Sequence, residues 1–247
     1  MARTRKRTRP PDPLPDVNEP PAPLPTQFLT GPRVFAAALA PTTPRAWRYL
    51  PVVVLSSVLS GLAYALVVRH AMVNAATVAG TPVPGLPSVL IDVLGGTFLG
   101  LLTAVLMWGL AFLGAGRAAR PAEVYGASFA LLPPLWLLVI VWTLLTPAAA
   151  WVPGAAALQA AEKTLSDVQV AGLRTAAGTQ AGVLLLLVTV LGTAAQCVLT
   201  YPALRTLNRN PGRAALGSLL PLLPALLVQF VGIAPLAIAA LSRPPGM

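Results

Sequence analysis

Residues 89–115 read VLIDVLGGTFLGLLTAVLMWGLAFLGA, and Asp92 is the only charged side chain among them. As a helix this stretch runs about 40 Å at ~1.5 Å per residue, enough to cross the ~30 Å hydrocarbon layer of a bilayer with some tilt. No polar residues recur along it at helical spacing, so it has no face to offer water. In hydrocarbon the backbone N–H and C=O groups have to be bonded within the structure, and a helix does this inside one segment.

The same reading applies on both sides. Apolar blocks at 50–68, 124–146, 180–201 and 214–241 join the one at 89–115, and they predict an all-α polytopic membrane helix bundle with five transmembrane helices. Composition agrees: 56% of the chain is hydrophobic and only 10% charged, against about a quarter charged in soluble domains. Pro133-Pro134 inside the third block predicts a kink, and Pro221, Pro224 and Pro235 predict bends in the fifth. Ahead of the first span, Thr43-Pro44 reads as a helix cap with a first-turn proline. Arg45, Trp47, Arg48 and Tyr49 then form a basic and aromatic collar at the level of the lipid headgroups.

Two stretches carry amphipathic patterns. In FLTGPRVFAAAL (28–39), Phe28, Val34, Phe35 and Leu39 predict one apolar face on a short pre-membrane helix that starts at Pro32 and lies along the membrane surface. Residues 155–174 predict a helix outside the bilayer, with Lys163 and Asp167 one turn apart. Residues 1–27 are basic, then proline-dense, and read as a disordered tail; no apolar h-region follows the basic cluster, so this is not a secretory signal peptide.

Charge placement sets an expected orientation. Arg3, Arg5, Lys6, Arg7, Arg9, Arg33, Arg45, Arg48, Arg117, Arg120, Arg205, Arg209 and Arg213 fall on one side of five spans. Only Arg69, Lys163, Arg174 and Arg243 fall on the other. Thirteen against four places the N-terminus in the cytoplasm and the C-terminus outside it. The preponderance of arginine over lysine points to a GC-rich, bacterial source, and hence to a bacterial cytoplasmic membrane. The net charge of +10 is expected to meet anionic lipid, at about 1 kcal/mol per basic residue near the surface, rather than nucleic acid. Arg33, Arg45, Arg48 and Trp47 are the candidate lipid-surface contacts.

Little in the sequence points to catalysis. Cys197 is the only cysteine and His70 the only histidine. Neither an HExxH metal motif nor a phosphate-cradling P-loop occurs, so no cofactor, metal or catalytic residue is expected. Asp92 lies near the outer end of its span, where it is expected to reach water or pair with Arg69. Gln196 and Gln229 sit deeper and are candidates for bonds between helices. Gly96, Gly100 and Ala104, four residues apart, form a small-residue face that favours packing within the chain over dimerisation.

In the order of these features the chain resembles the Yip family, the Ypt-interacting proteins, whose members share a five-helix membrane domain. FLTGPRVFAAAL is similar to the family's pre-membrane helix through Pro32, Arg33 and Phe35. The junction WGLAFLGAGRAARPAEVYGASFALLPP (108–134) is similar to its short loop and third span through Tyr125, Gly126 and Pro133. The acidic Asp-Leu-Tyr-Gly-Pro stretch of eukaryotic members is absent. The resemblance implies a non-enzymatic protein acting through lipid or protein contacts, as a homo-oligomer or with a membrane-protein partner. A small transporter, or a subunit of one, using Asp92, Gln196 or Gln229 is one alternative; an intramembrane enzyme, which would need His70 or Asp92 within hydrogen-bond reach of a second polar group, is the other.

Overall fold

The computed structural model describes residues 20–153 and 165–241. The expected tail up to residue 19, Lys163 of the expected one-turn pair, and Arg243 lie outside them. Among the described residues the elements are helices and turns, with no strand: α1 (Gln27–Thr30), α2 (Pro32–Leu39), α3 (Leu50–Ala79), α4 (Leu86–Ala115), α5 (Pro121–Ser128), α6 (Leu132–Leu145), α7 (Leu165–Gly178), α8 (Gln180–Leu207), α9 (Pro211–Leu219) and α10 (Leu222–Leu241). Five spans are long and apolar enough to cross a bilayer: α3, α4, Arg117–Leu145, α8 and Pro211–Leu241. The protein is a polytopic membrane helix bundle. Large apolar side chains face outward along it, among them Phe98 at 64% and Leu113 at 74% exposed on α4, which suits lipid and would be costly in water.

The spans form a ring in the order first, second, fifth, fourth, third and back to the first, each packed on its neighbours in that sequence. Helices α3 and α4 meet at their glycines. A Cβ on Gly61 would lie 2.3 Å from the Val93 carbonyl oxygen, one on Gly96 2.6 Å from Gly61 Cα, and one on Gly100 2.7 Å from Ser57 Oγ. Only residues without side chains let the two backbones meet there. The small-residue face of the second span is therefore occupied within the chain.

The first span runs eleven residues past its expected end at Val68 and stops at Gly80, in the left-handed conformation at φ 68°. Arg69, His70 and Asn74 end the apolar block there but not the helix, because Ala71, Ala75 and Ala76 continue it and α7 packs against that extension. At 30 residues α3 is about 45 Å long and exceeds the hydrocarbon layer. His70 lies within α3, with Nδ1 2.8 Å from the Leu66 carbonyl and its ring 5.3 Å from that of Trp151.

Prolines shape the third and fifth spans. The third is α5, a 3-10 turn over Phe129–Leu131, and α6 with Pro133 and Pro134 in its first turn. In the fifth, the Asn210 side chain accepts from the amides of Gly212 and Arg213 at 3.0 and 3.2 Å, with Pro211 in the first turn. α9 passes into α10 through a turn at Leu220-Pro221. The Leu220 amide bonds to Leu216 O, and the Ala225 amide to Pro221 O, both at 2.9 Å, so the two helices follow one another without a loop.

Three expectations near the N-terminus are corrected. Helix α3 starts at Leu50 with Pro51 in its first turn, not at Thr43-Pro44. Thr43 lies in the connector, where its carbonyl is used by arginines from two directions. Val34 is 74% exposed while Phe28, Phe35 and Leu39 are buried, so the inward face of α2 is narrower than the pattern implies. The tail ends before residue 27: Pro23 is buried, and its carbonyl accepts from Tyr49 Oη at 2.7 Å.

Candidate functional site

Hydroxyl and amide side chains are concentrated inside the ring, where lipid cannot solvate them. A cavity of about 230 Å³ lies among α3, α4, α8 and α10, with Ser60, Tyr64, Asp92, Thr189 and Gln229 on its polar wall and Gly96 beside them. Ser60 and Gln229 also line a narrow inner chamber of about 10 Å³, with Ser57, Gly100, Trp136 and Gln196 around it. Gln229 Nε2 donates to Thr103 Oγ1 at 2.8 Å, which ties α10 to α4. Most of the hydroxyls are spent on their own helix: Thr103, Thr189 and Ser57 each donate to the carbonyl four residues earlier, at 2.8, 2.8 and 2.9 Å. Gln196 is 1% exposed and its Nε2 has no hydrogen-bond partner among the described residues.

Five sequence-singled residues, Asp92, Gly96, Gly100, Gln196 and Gln229, thus share one polar seam. Asp92 forms no ion pair with Arg69. It lines the cavity instead.

Tyr125, Gly126 and Pro133 lie elsewhere. Tyr125 Oη donates towards Gly217 O and Ser218 O at 3.1 and 3.2 Å, and Ser218 Oγ donates to Cys197 O, so one phenol links the third span to the fifth and, through it, the fourth. A Cβ on Gly126 would lie 3.1 Å from Tyr49 Cβ. The Tyr49 ring meets Phe35 at a tilt, 5.7 Å between centroids, and Phe35 meets Phe28 edge-on at 5.5 Å. Burial pushes the Tyr49 phenol up to about 12, with the nearby Arg48 pulling the other way. Pro133 is half-buried at the start of α6.

At the same end of the bundle lies a buried ion cluster that the sequence did not announce. Arg120 is 8% and Glu123 2% exposed. The carboxylate accepts from Arg120 Nε and Nη2 and, at 3.2 Å, from the Arg45 amide, and Arg48 Nε stands 3.6 Å away. Arg120 Nη1 donates to Leu39 O, and to Thr42 O at 2.9 Å; Nη2 donates to Thr42 Oγ1 at 3.1 Å and Thr43 O at 3.2 Å. Arg48 closes the loop, donating to Thr42 Oγ1 at 2.6 Å and Thr43 O at 2.8 Å. Arg120 holds φ 50°, a left-handed conformation that costs a residue with a side chain about 1 kcal/mol or more and is sustained by these bonds. The cluster ties the C-terminus of α2 and the connector to the start of the third span.

Arg120, counted above only for orientation, and Glu123 are therefore its centre. The available signal was Arg-Pro-Ala-Glu at 120–123, an acid three residues after a base across a first-turn proline. Of the candidate lipid contacts, Arg33, Arg45 and Trp47 are exposed, whereas Arg48 is largely committed to the cluster.

The chain matches no family model, no curated protein and no solved structure. Fold and composition define an integral membrane protein; what it does rests on the geometry above.

Proposed function

We propose that this protein is a non-enzymatic, Yip-type membrane protein that acts through lipid or protein contacts made by its basic face, which lies on the cytoplasmic side. The observation that carries the reading is the Arg120–Glu123–Arg48 cluster. It fixes the pre-membrane helix and connector to the bundle, and so holds the exposed Arg33, Arg45 and Trp47 at set positions on one rim. A buried ion pair is a poor source of stability but a good device for fixing one geometry. Photo-crosslinking groups placed at Arg33 and Trp47 in cells test it. Discrete lipid, protein or self adducts that fade when Glu123→Leu loosens the rim support the proposal, and indiscriminate labelling unaffected by that substitution contradicts it.

A second reading, a small transporter, is favoured by the polar cavity with Asp92 and Gln229 on its wall. It requires solute flux in proteoliposomes that Asp92→Asn abolishes, and labelling of a cysteine at Gln229 by a water-soluble thiol reagent.

A further inference from the structure

Where the connector meets the second and third spans, the basic rim is hollow. A cavity of about 400 Å³ lies there, with Pro44, Trp108, Gly109, Phe112 and Pro121 as its apolar wall and Arg117 at its edge. Its lining combines an apolar slot open towards lipid, with Phe112 49% exposed and Gly109 exposed beside it, and a guanidinium at the level where the helix leaves the bilayer. Arg117 has no ion-pair partner among the described residues. The one carboxylate in the wall, Glu123, is already taken by Arg120, Arg48 and the Arg45 amide. Arg213 adds to the unbalanced charge: its Nη1 comes within 3.9 Å of where a Cβ on Gly116 would sit, one residue from Arg117. Trp47, 67% exposed, stands edge-on to Trp108 at 5.7 Å and gives the site the amphipathic rings that favour the headgroup level.

We propose that this cavity binds one anionic phospholipid of the adjoining leaflet, with an acyl chain along Gly109 and Phe112 and the headgroup phosphate on Arg117. The inference rests on the reading of the basic rim as a contact surface and names one of its partners. Charge complementarity selects the occupant. A zwitterionic lipid brings its own cation to a place already rich in cations, while an anionic one meets an unpaired guanidinium and uncovers no buried carboxylate.

Gly109 supplies a variant that separates the site from surface charge. A Cβ there meets nothing within 4 Å, so Gly109→Leu fills the slot without disturbing the bundle. Native mass spectrometry of the full chain, released from detergent with graded phosphatidylglycerol or phosphatidylcholine, counts the retained lipid. Wild type is expected to keep one phosphatidylglycerol with a preference of roughly five-fold or more over phosphatidylcholine, the effect of one basic residue at an anionic surface. Arg117→Gln should bring the preference near parity, and Arg117→Lys should keep most of it. Gly109→Leu should remove the retained lipid of either kind, while Arg174→Gln, on α7 and outside the cavity, leaves the stoichiometry at one. Free inorganic phosphate should not compete.

Equal retention of the two lipids by wild type overturns the proposal, as does wild-type binding by both Arg117→Gln and Gly109→Leu. Displacement by free phosphate alone would mean an anion site with no lipid in it. Failure here with crosslinks at Arg33 and Trp47 intact removes only the lipid site. Loss of both removes the wider reading.

Discussion

Removing the Glu123 carboxylate should loosen the basic rim more than any other single charge change in the chain. Glu123 is 2% exposed and neutralises an Arg120 that is 8% exposed. After Glu123→Leu the guanidinium keeps only neutral acceptors, the carbonyls of Leu39, Thr42 and Thr43 and the Thr42 hydroxyl. Breaking a buried pair from one side costs about 3–5 kcal/mol, and these surviving acceptors place the expected loss near the lower end, ~3 kcal/mol. That corresponds to roughly 150-fold more of the opened state. Because the cluster joins α2 and the connector to the third span, opening should expose the chain around Arg45 and Arg48 to trypsin. The assay is the tryptic nicking rate of the purified protein in detergent, beside its unfolding midpoint in graded sodium dodecyl sulfate. Glu123→Gln should behave almost as badly, since its amide N–H₂ meets a guanidinium that can only donate. Combining Glu123→Leu with Arg120→Met should recover part of the loss, though not all, because the Leu39 and Thr42 carbonyls then lose their donor. Nicking and unfolding within about 0.5 kcal/mol of wild type for Glu123→Leu would refute the reasoning.

Two neighbouring glycines should respond in opposite ways. Gly96→Val forces a branched side chain onto Gly61 Cα and should lower stability by about 1–3 kcal/mol, whereas Gly95→Ala, with nothing within 4 Å, should leave the unfolding midpoint unchanged or raised. Tyr49→Phe loses the bond to Pro23 O and should cost about 1 kcal/mol near neutral pH. The folded phenol keeps its proton to about 12, against ~10 when unfolded; its contribution is therefore complete below pH 10 and lost between 10 and 12. The gap between wild type and Tyr49→Phe should close over that window, and a gap independent of pH would contradict the assignment.

The spans were legible because burial in lipid leaves the plainest of sequence signals, an unbroken apolar run such as 89–115. Pro133-Pro134 and Pro221 fall where the third and fifth spans pass from one helix to the next, since a missing N–H is a local property. The far end of α3 was not legible: after Arg69 the helix is supported by α7 packing against Ala75 and Ala76, a contact between segments far apart in sequence. Thr43-Pro44 misled for a related reason, because a cap-like pair was recruited as an acceptor for Arg120, some 77 residues away. Asp92, Gln196 and Gln229 stood out as polar residues in apolar runs, but that they share one seam depends on the ring order of the spans, which no single segment encodes. The ion cluster was the largest omission, since Arg120 and Glu123 look like any charged pair in a loop until the connector folds over them.

Sided labelling of single cysteines tests the five crossings most directly. With Cys197 replaced by Ala, cysteines at Thr30, Ala118 and Gly212 should react with a membrane-impermeant thiol reagent only from the side facing the cytoplasm. Those at Val83, Ala149 and Leu241, the last at the far end of the fifth span, should react only from the other. Reaction of all six from one side, or a change of side at any place other than the five spans, would contradict the account.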